Sequence, residues 1–198
     1  MKNERILIIN AHPDPQSFNE AIAQAYIDAL RQHDVAFRYL PVYRLNFDPN
    51  LRYGFRDTLQ PEPDLLAAIA DLKWCSHLVW IHPIWWYGFP ALMKGFIDRA
   101  FLPGVTFHLN ADGSVSGHLA GRSARIIATG DTPQQLYRET YAESARIQLQ
   151  NGVLAYCGIS PIAYTYLHPV HSSTPGIRQE WLEQIQQLAL ADAGLRMS

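Results

Sequence analysis

Apolar positions along this chain follow two alternating rhythms. Short unbroken runs, Ile6-Leu7-Ile8-Ile9 the first of them, alternate with longer stretches in which apolar residues recur every three or four positions. That alternation predicts a parallel sheet with crossover helices. A first strand is expected at Arg5–Asn10, then a loop from Ala11 to Gln16, then a helix from Ser17 to His33 with Ile22, Tyr26, Ala29 and Leu30 on one stripe. Ser17 and Glu20 have the spacing of a capping box and mark the helix start. A second strand, Val35–Leu40, leads into an irregular stretch from Pro41 to Pro63 that contains Phe47-Asp48-Pro49. This stretch is too long for a plain connection and reads as a functional or interface element.

The second half repeats the pattern. A helix at Asp64–Lys73 places Leu65, Leu66, Ile69 and Leu72 on one face, and the strand His77–Ile81 has the apolar run of a central strand covered on both sides. A helix is expected at Ala91–Phe101. A small hairpin follows, built from Val105–Leu109, the turn pair Asp112-Gly113 and Val115. Arg125–Ala128 is the fourth strand, Gln134–Asn151 a long crossover helix, and Pro161–Tyr166 the fifth strand. The last helix starts near Pro175 and bears Ile177, Trp181, Ile185 and Leu188. There is no internal repeat. The expected architecture is α/β: one flavodoxin-like domain over residues 1–198, a doubly wound five-stranded parallel sheet with helices on both faces. Ligands of such sheets sit beyond the carboxyl ends of the strands, at the switch point.

Composition narrows the function. With 198 residues, 48% of them hydrophobic and 17% charged, the chain has material for one substantial core. Sixteen Lys and Arg against eighteen Asp and Glu give a net charge of −2. That balance advertises neither nucleic-acid binding nor the acidic surface of a small electron carrier. Cys75 and Cys157 sit in apolar settings and read as buried free thiols of a reducing compartment. The N-terminal apolar run is too short for a signal peptide, and no run approaches the ~18–20 residues that span a bilayer. A cytoplasmic protein without membrane insertion is expected.

Three loops leave the carboxyl ends of expected strands: His12–Asn19, His82–Phe89 and Thr129–Thr132. The first has neither a GxGxxG nor a Walker pattern. Its Ser17-Phe18-Asn19 opens a helix whose free N–H groups, hydroxyl and amide can hold a phosphate, with His12 alongside; simple capping by Ser17 and Glu20 is the plainer alternative. The second packs Trp85-Trp86-Tyr87 between Pro83 and Gly88. Those rings either fill core or wall a site for a flat aromatic ligand, with the backbone extended so that its N–H groups meet ring heteroatoms. The third, Thr129-Gly130-Asp131, can approach the same ligand through its backbone. No GxSxG or HExxH is present, Cys75 has no evident catalytic partner, and His168 and His171 complete no metal pattern. Chemistry without acid–base machinery points to a cofactor for the hard step.

The residues Ile-Leu-Ile-Ile-Asn-Ala-His-Pro with Ser17-Phe18-Asn19, and the run His82 to Phe101, resemble the NAD(P)H:quinone oxidoreductases of the DT-diaphorase type. That group includes bacterial drug-activity-modulator quinone reductases and the ancillary flavoproteins of potassium efflux systems. The resemblance extends from about residue 5 to 188 and implies a flavin, FAD rather than FMN, with NAD(P)H as cosubstrate. It implies that His12, Ser17, Phe18 and Asn19 meet the flavin phosphates and ribityl chain. It likewise places Pro83, Ile84, Trp85, Trp86 and Tyr87, with Thr129 and Gly130, along the isoalloxazine. Asp98 and Arg178 fall near positions for the adenine end, and Tyr137 near the family's active-site tyrosine. Trp86, Tyr87 and Tyr137 are the candidate catalytic residues. Two departures stand out: Asp131 occupies the second place of a double glycine, and Glu143 the place of an active-site histidine.

The expected reaction is a two-electron relay with ping-pong kinetics, from NAD(P)H through the flavin to a quinone. The alternatives are a regulatory flavoprotein subunit with a transporter partner, a nitro or azo reductase, and a one-electron carrier. A homodimer is expected from the family and from the apolar content of Phe96–Phe107 and Pro41–Pro63.

Overall fold

The computed structural model of the chain describes residues 4–54, 56 and 60–195, so part of the Pro41–Pro63 stretch lies outside the described residues. In chain order the strands are β1 (Arg5–Asn10), β2 (Ala36–Pro41), β3 (His77–Pro83), β4 (Phe107–Leu109), β5 (Val115–Gly117), β6 (Ser123–Thr129) and β7 (Ile162–Leu167). Five of them form one sheet in the order β2-β1-β3-β6-β7, all parallel, while β4 and β5 form a separate antiparallel hairpin. The strand order reverses between β1 and β3. The carboxyl ends of β1, β3 and β6 are therefore neighbours, and the three loops singled out above emerge side by side.

Alternation along each strand sorts the core into two layers. Ile6 and Ile8 of β1, with Val79 and Ile81 of β3, pack under α1 (Phe18–Gln32) and the C-terminal helix; Leu7 and Ile9, with Leu78 and Trp80, pack under α2 (Pro63–Trp74) and α3 (Ala91–Ala100). All seven residues of β3 are buried. Each fully buried aliphatic or aromatic side chain contributes about 1.5–3 kcal/mol, so these central strands supply much of the stability. Phe96 and Phe101 join Trp80 and Phe47 in the same core. Their apolar bulk is thus spent within the chain and is no argument for an interface. Buried Arg99 pins the stretch before α2 by donating to the Asp48 carbonyl and pairing with Glu62 at 2.7 Å.

The expected helix at Gln134–Asn151 is not continuous. It divides into α4 (Gln134–Tyr141), two left-handed residues, Ala142 (φ 50°) and Glu143 (φ 49°), α5 (Ser144–Ile147) and a π-helical segment, Gln148–Ala155. Side-chain bonds hold the break. The Tyr137 hydroxyl accepts from the Arg146 N–H (3.2 Å), and the Ser144 hydroxyl donates to the Tyr87 carbonyl (2.7 Å). No Gly or Pro marks the break, so apolar spacing runs straight through it. The C-terminal helix, α6 (Pro175–Asp192), starts as expected, with Thr174 accepting from the Ile177 N–H.

The hairpin docks through Gly117. A Cβ there would lie 2.2 Å from the Cys157 carbonyl carbon and 2.3 Å from the Gly158 nitrogen, both backbone atoms. Gly117→Ala is therefore expected to cost about 3 kcal/mol, read as a lower urea midpoint with an unchanged slope. Gly152→Ala is the control, since nothing lies within 4 Å of its Cβ position; a midpoint lowered as much as that of Gly117→Ala would refute the packing argument.

Candidate active site

The three loops are tied to one another. The Ile84 N–H donates to the Thr129 carbonyl (2.7 Å), the Thr129 hydroxyl donates to Asn19 Oδ1 (2.9 Å), and the Ala11 N–H donates to the Ile81 carbonyl (2.8 Å). Above them lies a cleft in two halves. One, about 280 Å³, is lined by His12, Ser17, Phe18 and Asn19 together with Pro83, Ile84, Trp85, Thr129 and Gly130. The other, about 230 Å³, is lined by Trp86, Tyr87, Tyr137 and Tyr166. Ile84, Gly130 and Asp131 border both halves.

The first half offers unpartnered polar groups at a helix start. Ser17 precedes α1 but does not cap it: its hydroxyl is buried without a partner, and so is the Asn19 side-chain amide nitrogen. The Phe18 and Asn19 N–H groups belong to the first turn, where the helix itself offers no acceptor. The expected capping box is thus absent. Glu20 turns instead to Asn10 Nδ2 (2.9 Å) and to the Tyr39 hydroxyl (2.5 Å), so two neighbouring strands outcompete the helix end for its carboxylate. The same Asn10 accepts from the His12 N–H (3.1 Å) and fixes the loop. His12 Nδ1 accepts from the Asp14 N–H (3.0 Å), which leaves the proton of a neutral ring on Nε2. Burial lowers the His12 pKa, against an opposing pull from Asp14. Unpartnered hydroxyl and amide groups at the positive end of a 15-residue helix fit a phosphate.

The aromatic loop is not extended. Trp85 and Gly88 exchange backbone bonds (3.2 and 2.9 Å) around a tight turn whose central residues are left-handed, Trp86 at φ 50° and Tyr87 at φ 57°. Bulky residues seldom adopt that conformation, and each costs on the order of 1–2 kcal/mol. The turn leaves Trp86 98% and Trp85 44% exposed, so neither indole fills core. Trp85 meets the His12 ring edge-on at 5.4 Å, and Tyr87 stacks on Tyr141 with centroids 3.4 Å apart. Tyr137 presents its ring to the cleft while its hydroxyl is engaged by the Arg146 N–H; burial raises its pKa. Gly130 lies under Tyr166, whose hydroxyl donates to the Thr132 carbonyl (2.9 Å) and would be 2.7 Å from an added Cβ.

A fourth loop, after β7, completes the wall. Val170 lines the first half of the cleft, and its N–H donates to the Gly130 carbonyl (3.1 Å). Asp131 accepts from the His171 N–H at 2.6 Å, which fastens this loop to the Thr129 loop. The signal for it is the strand end followed by His168-Pro169, a fourth carboxyl-end loop of the kind already sought. Arg178 braces it, donating to the Ser173 hydroxyl (2.8 Å) and the Val170 carbonyl (3.0 Å), with its guanidinium 5.5 Å over the Phe18 ring. Asp98 is elsewhere, bound to Lys94 on α3 at 2.8 Å and absent from the lining of either half.

A reversing parallel sheet with unpartnered polar groups at a helix start and an aromatic wall at its switch point is the arrangement in which α/β proteins hold nucleotide-type cofactors. Residues 4–189 match the family described as a flavodoxin-like fold, and the chain belongs to that family, in its NAD(P)H:quinone oxidoreductase group. It is 31% identical over 180 residues to the uncharacterized NAD(P)H oxidoreductase YcaK of Escherichia coli, covering 84% of this chain and 85% of the relative. It is 24% identical over 187 residues to the mouse ribosyldihydronicotinamide dehydrogenase [quinone], covering 82% and 80%. A solved structure from Streptococcus mutans superposes with a TM-score of 0.78 at 31% identity, over 93% of this chain and 98% of that one. An FMN-dependent NADH-azoreductase from Bacillus anthracis, solved with FMN, gives 0.73 at 18% identity, over 96% and 99%.

Proposed function

We propose that this chain is a flavin-dependent NAD(P)H:quinone oxidoreductase that works by two-electron, ping-pong transfer. The observation that supports this most directly is the pair of buried, unpartnered groups, Ser17 Oγ and Asn19 Nδ2, at the start of α1 beside an aromatic-walled cleft. In this reading Ser17, Phe18, Asn19 and His12 hold the phosphate and ribityl chain. Pro83, Ile84 and Trp85, with Thr129 and Gly130, lie along the ring. When bound, the flavin supplies hydride chemistry, accepting from NAD(P)H and passing two electrons to a quinone. The protein orients the two substrates in turn and excludes water with Trp86, Tyr87, Tyr137 and Tyr166. The Tyr137 hydroxyl accepts from the Arg146 N–H and keeps its own proton to donate, so beside shaping the pocket Tyr137 can stabilise charge on the reduced ring.

The flavin is FAD in this reading on the ground of the resemblance alone: Arg178, committed to Ser173 and Val170, and Asp98, paired with Lys94, give it no support. The whole chain acts as one domain. A homodimer is part of the proposal and rests on the 98% exposure of Trp86 beside the cleft, where a partner surface can cover it. Buried, unpaired Cys75 and Cys157 suit a reducing cytoplasm. Among the described residues no helix is long and apolar enough to cross a membrane.

Purified protein is expected to be yellow, to release FAD on heating, and to give parallel double-reciprocal lines with NADPH and menadione. Release of FMN would correct the cofactor alone. Intersecting lines would remove the shared-site scheme. A colourless protein that takes up neither flavin would end the reading.

A further inference from the structure

Asp131 borders both halves of the cleft. Its carboxylate does not swing free, because Oδ1 is held by the His171 N–H at 2.6 Å. It belongs to none of the ion pairs found among the described residues. No Lys or Arg lines either half, and the one other carboxylate at the border is Asp14. The guanidinium of Arg178 is committed to Ser173 and Val170. A fixed, uncompensated negative charge therefore stands where the two halves meet.

We infer that Asp131 makes this site select uncharged or cationic electron acceptors over anionic ones, and that it lowers the reduction potential of the bound flavin. This rests on the proposed function, which puts the flavin ring and the acceptor in this cleft. The acceptor step joins a quinone, a hydride from the reduced flavin and a proton from water into a hydroquinone. A neutral and a sulfonated quinone gain the same charge in that step, so their ratio isolates the charge each brings with it. Two like unit charges a few ångströms apart give a discrimination of about fivefold in water and more where the site is drier. Neutral quinones fall in the favoured class, and sulfonated azo dyes in the disfavoured one.

The test uses photoreduced flavoprotein mixed in stopped flow with menadione or with a naphthoquinone sulfonate, so that no pyridine nucleotide is present. Asp131→Asn keeps an acceptor for the His171 N–H and removes the charge. It is expected to raise the sulfonate-to-menadione rate ratio about fivefold or more and to shift the flavin midpoint potential positive. Added salt is expected to raise the ratio in the unmodified protein. An unchanged ratio or an unchanged potential in Asp131→Asn would overturn the inference. If that variant does not fold, a salt-independent ratio in the unmodified protein overturns it equally. A flavoprotein with an unmoved ratio sinks this inference alone, whereas a protein that takes up no flavin sinks the proposed function and this inference together.

Discussion

Ser17→Asp is expected to part folding from cofactor binding: the apoprotein keeps or gains thermal stability while flavin affinity falls about a hundredfold. Ser17 stands at the residue before α1, with extended backbone (φ −71°, ψ 160°) and no side-chain cap bond. Aspartate is among the best residues at that position, where it accepts first-turn N–H groups and faces the positive helix end, worth about 0.5–1 kcal/mol. The same carboxylate would occupy the anion's place. Two like charges about 4 Å apart repel by about 1 kcal/mol in water and about 4 kcal/mol at the effective dielectric of a protein surface. Ser17→Ala, which removes one bond to a charged group, is expected to weaken binding about tenfold. Thermal melting of the apoprotein and quenching of added flavin fluorescence read the two effects separately. Unaltered flavin affinity in Ser17→Asp would mean that the phosphate lies somewhere else.

Acidification is expected to remove about 3 kcal/mol of stability between about pH 6.5 and pH 4, through His82. This side chain is fully buried on β3, behind the aromatic loop, packed edge-on against Phe89 with Nδ1 3.0 Å from the Pro83 carbonyl. Burial pushes its pKa down to about 4, against the opposing pull of that carbonyl. The unfolded chain protonates it near 6.5, so stability is complete above that value and falls by about 1.4 kcal/mol per pH unit until the folded form also takes the proton. His12 and His168, both lowered by burial, act in the same direction. Asp192 acts in a separate, lower window. Burial pushes its pKa up, but the His77 ring 3.5 Å away and the bonds from Arg125 outweigh burial and hold it at about 2, so its contribution fades only below about 3.8. Urea midpoints across this range check the slope, and His82→Leu is expected to flatten the upper window. A midpoint in the unmodified protein that does not move from pH 6.5 to 4 would refute the assignment.

His82 and Ser17 show what kind of information each level holds. Both fall at strand or helix ends that apolar spacing locates, yet neither role is local. The His82 pKa depends on Phe89 and on the covering of β3. The orphaned Ser17 hydroxyl depends on Glu20 being drawn away by Asn10 and Tyr39, which lie on two different strands. Capping-box spacing is a statement about four consecutive residues and contains nothing about those competitors. Asp131 behaves alike: in sequence it is a loop carboxylate after Gly130, and only the approach of the β7 loop gives it His171 as a partner and a place on both halves of the cleft.

Local periodicity was enough to determine the five parallel strands, the helices between them and the three carboxyl-end loops that meet at the switch point. Burial of a strand face or helix stripe writes itself into the spacing of nearby residues, and connection rules then leave few sheet orders open. Tertiary structure alone decided the break at Ala142-Glu143, the left-handed turn at Trp86-Tyr87, the internal use of Arg178 and the distance of Asp98 from the cleft. The aromatic turn is held by residues far along the chain, Tyr87 by Ser144 and Tyr141, and such contacts exist only once the sheet has brought those segments together. The helix break, the use of Arg178 and the place of Asp98 rest on shorter-range contacts, Tyr137 with Arg146, Arg178 with Val170 and Asp98 with Lys94, which apolar spacing does not encode because they join polar groups.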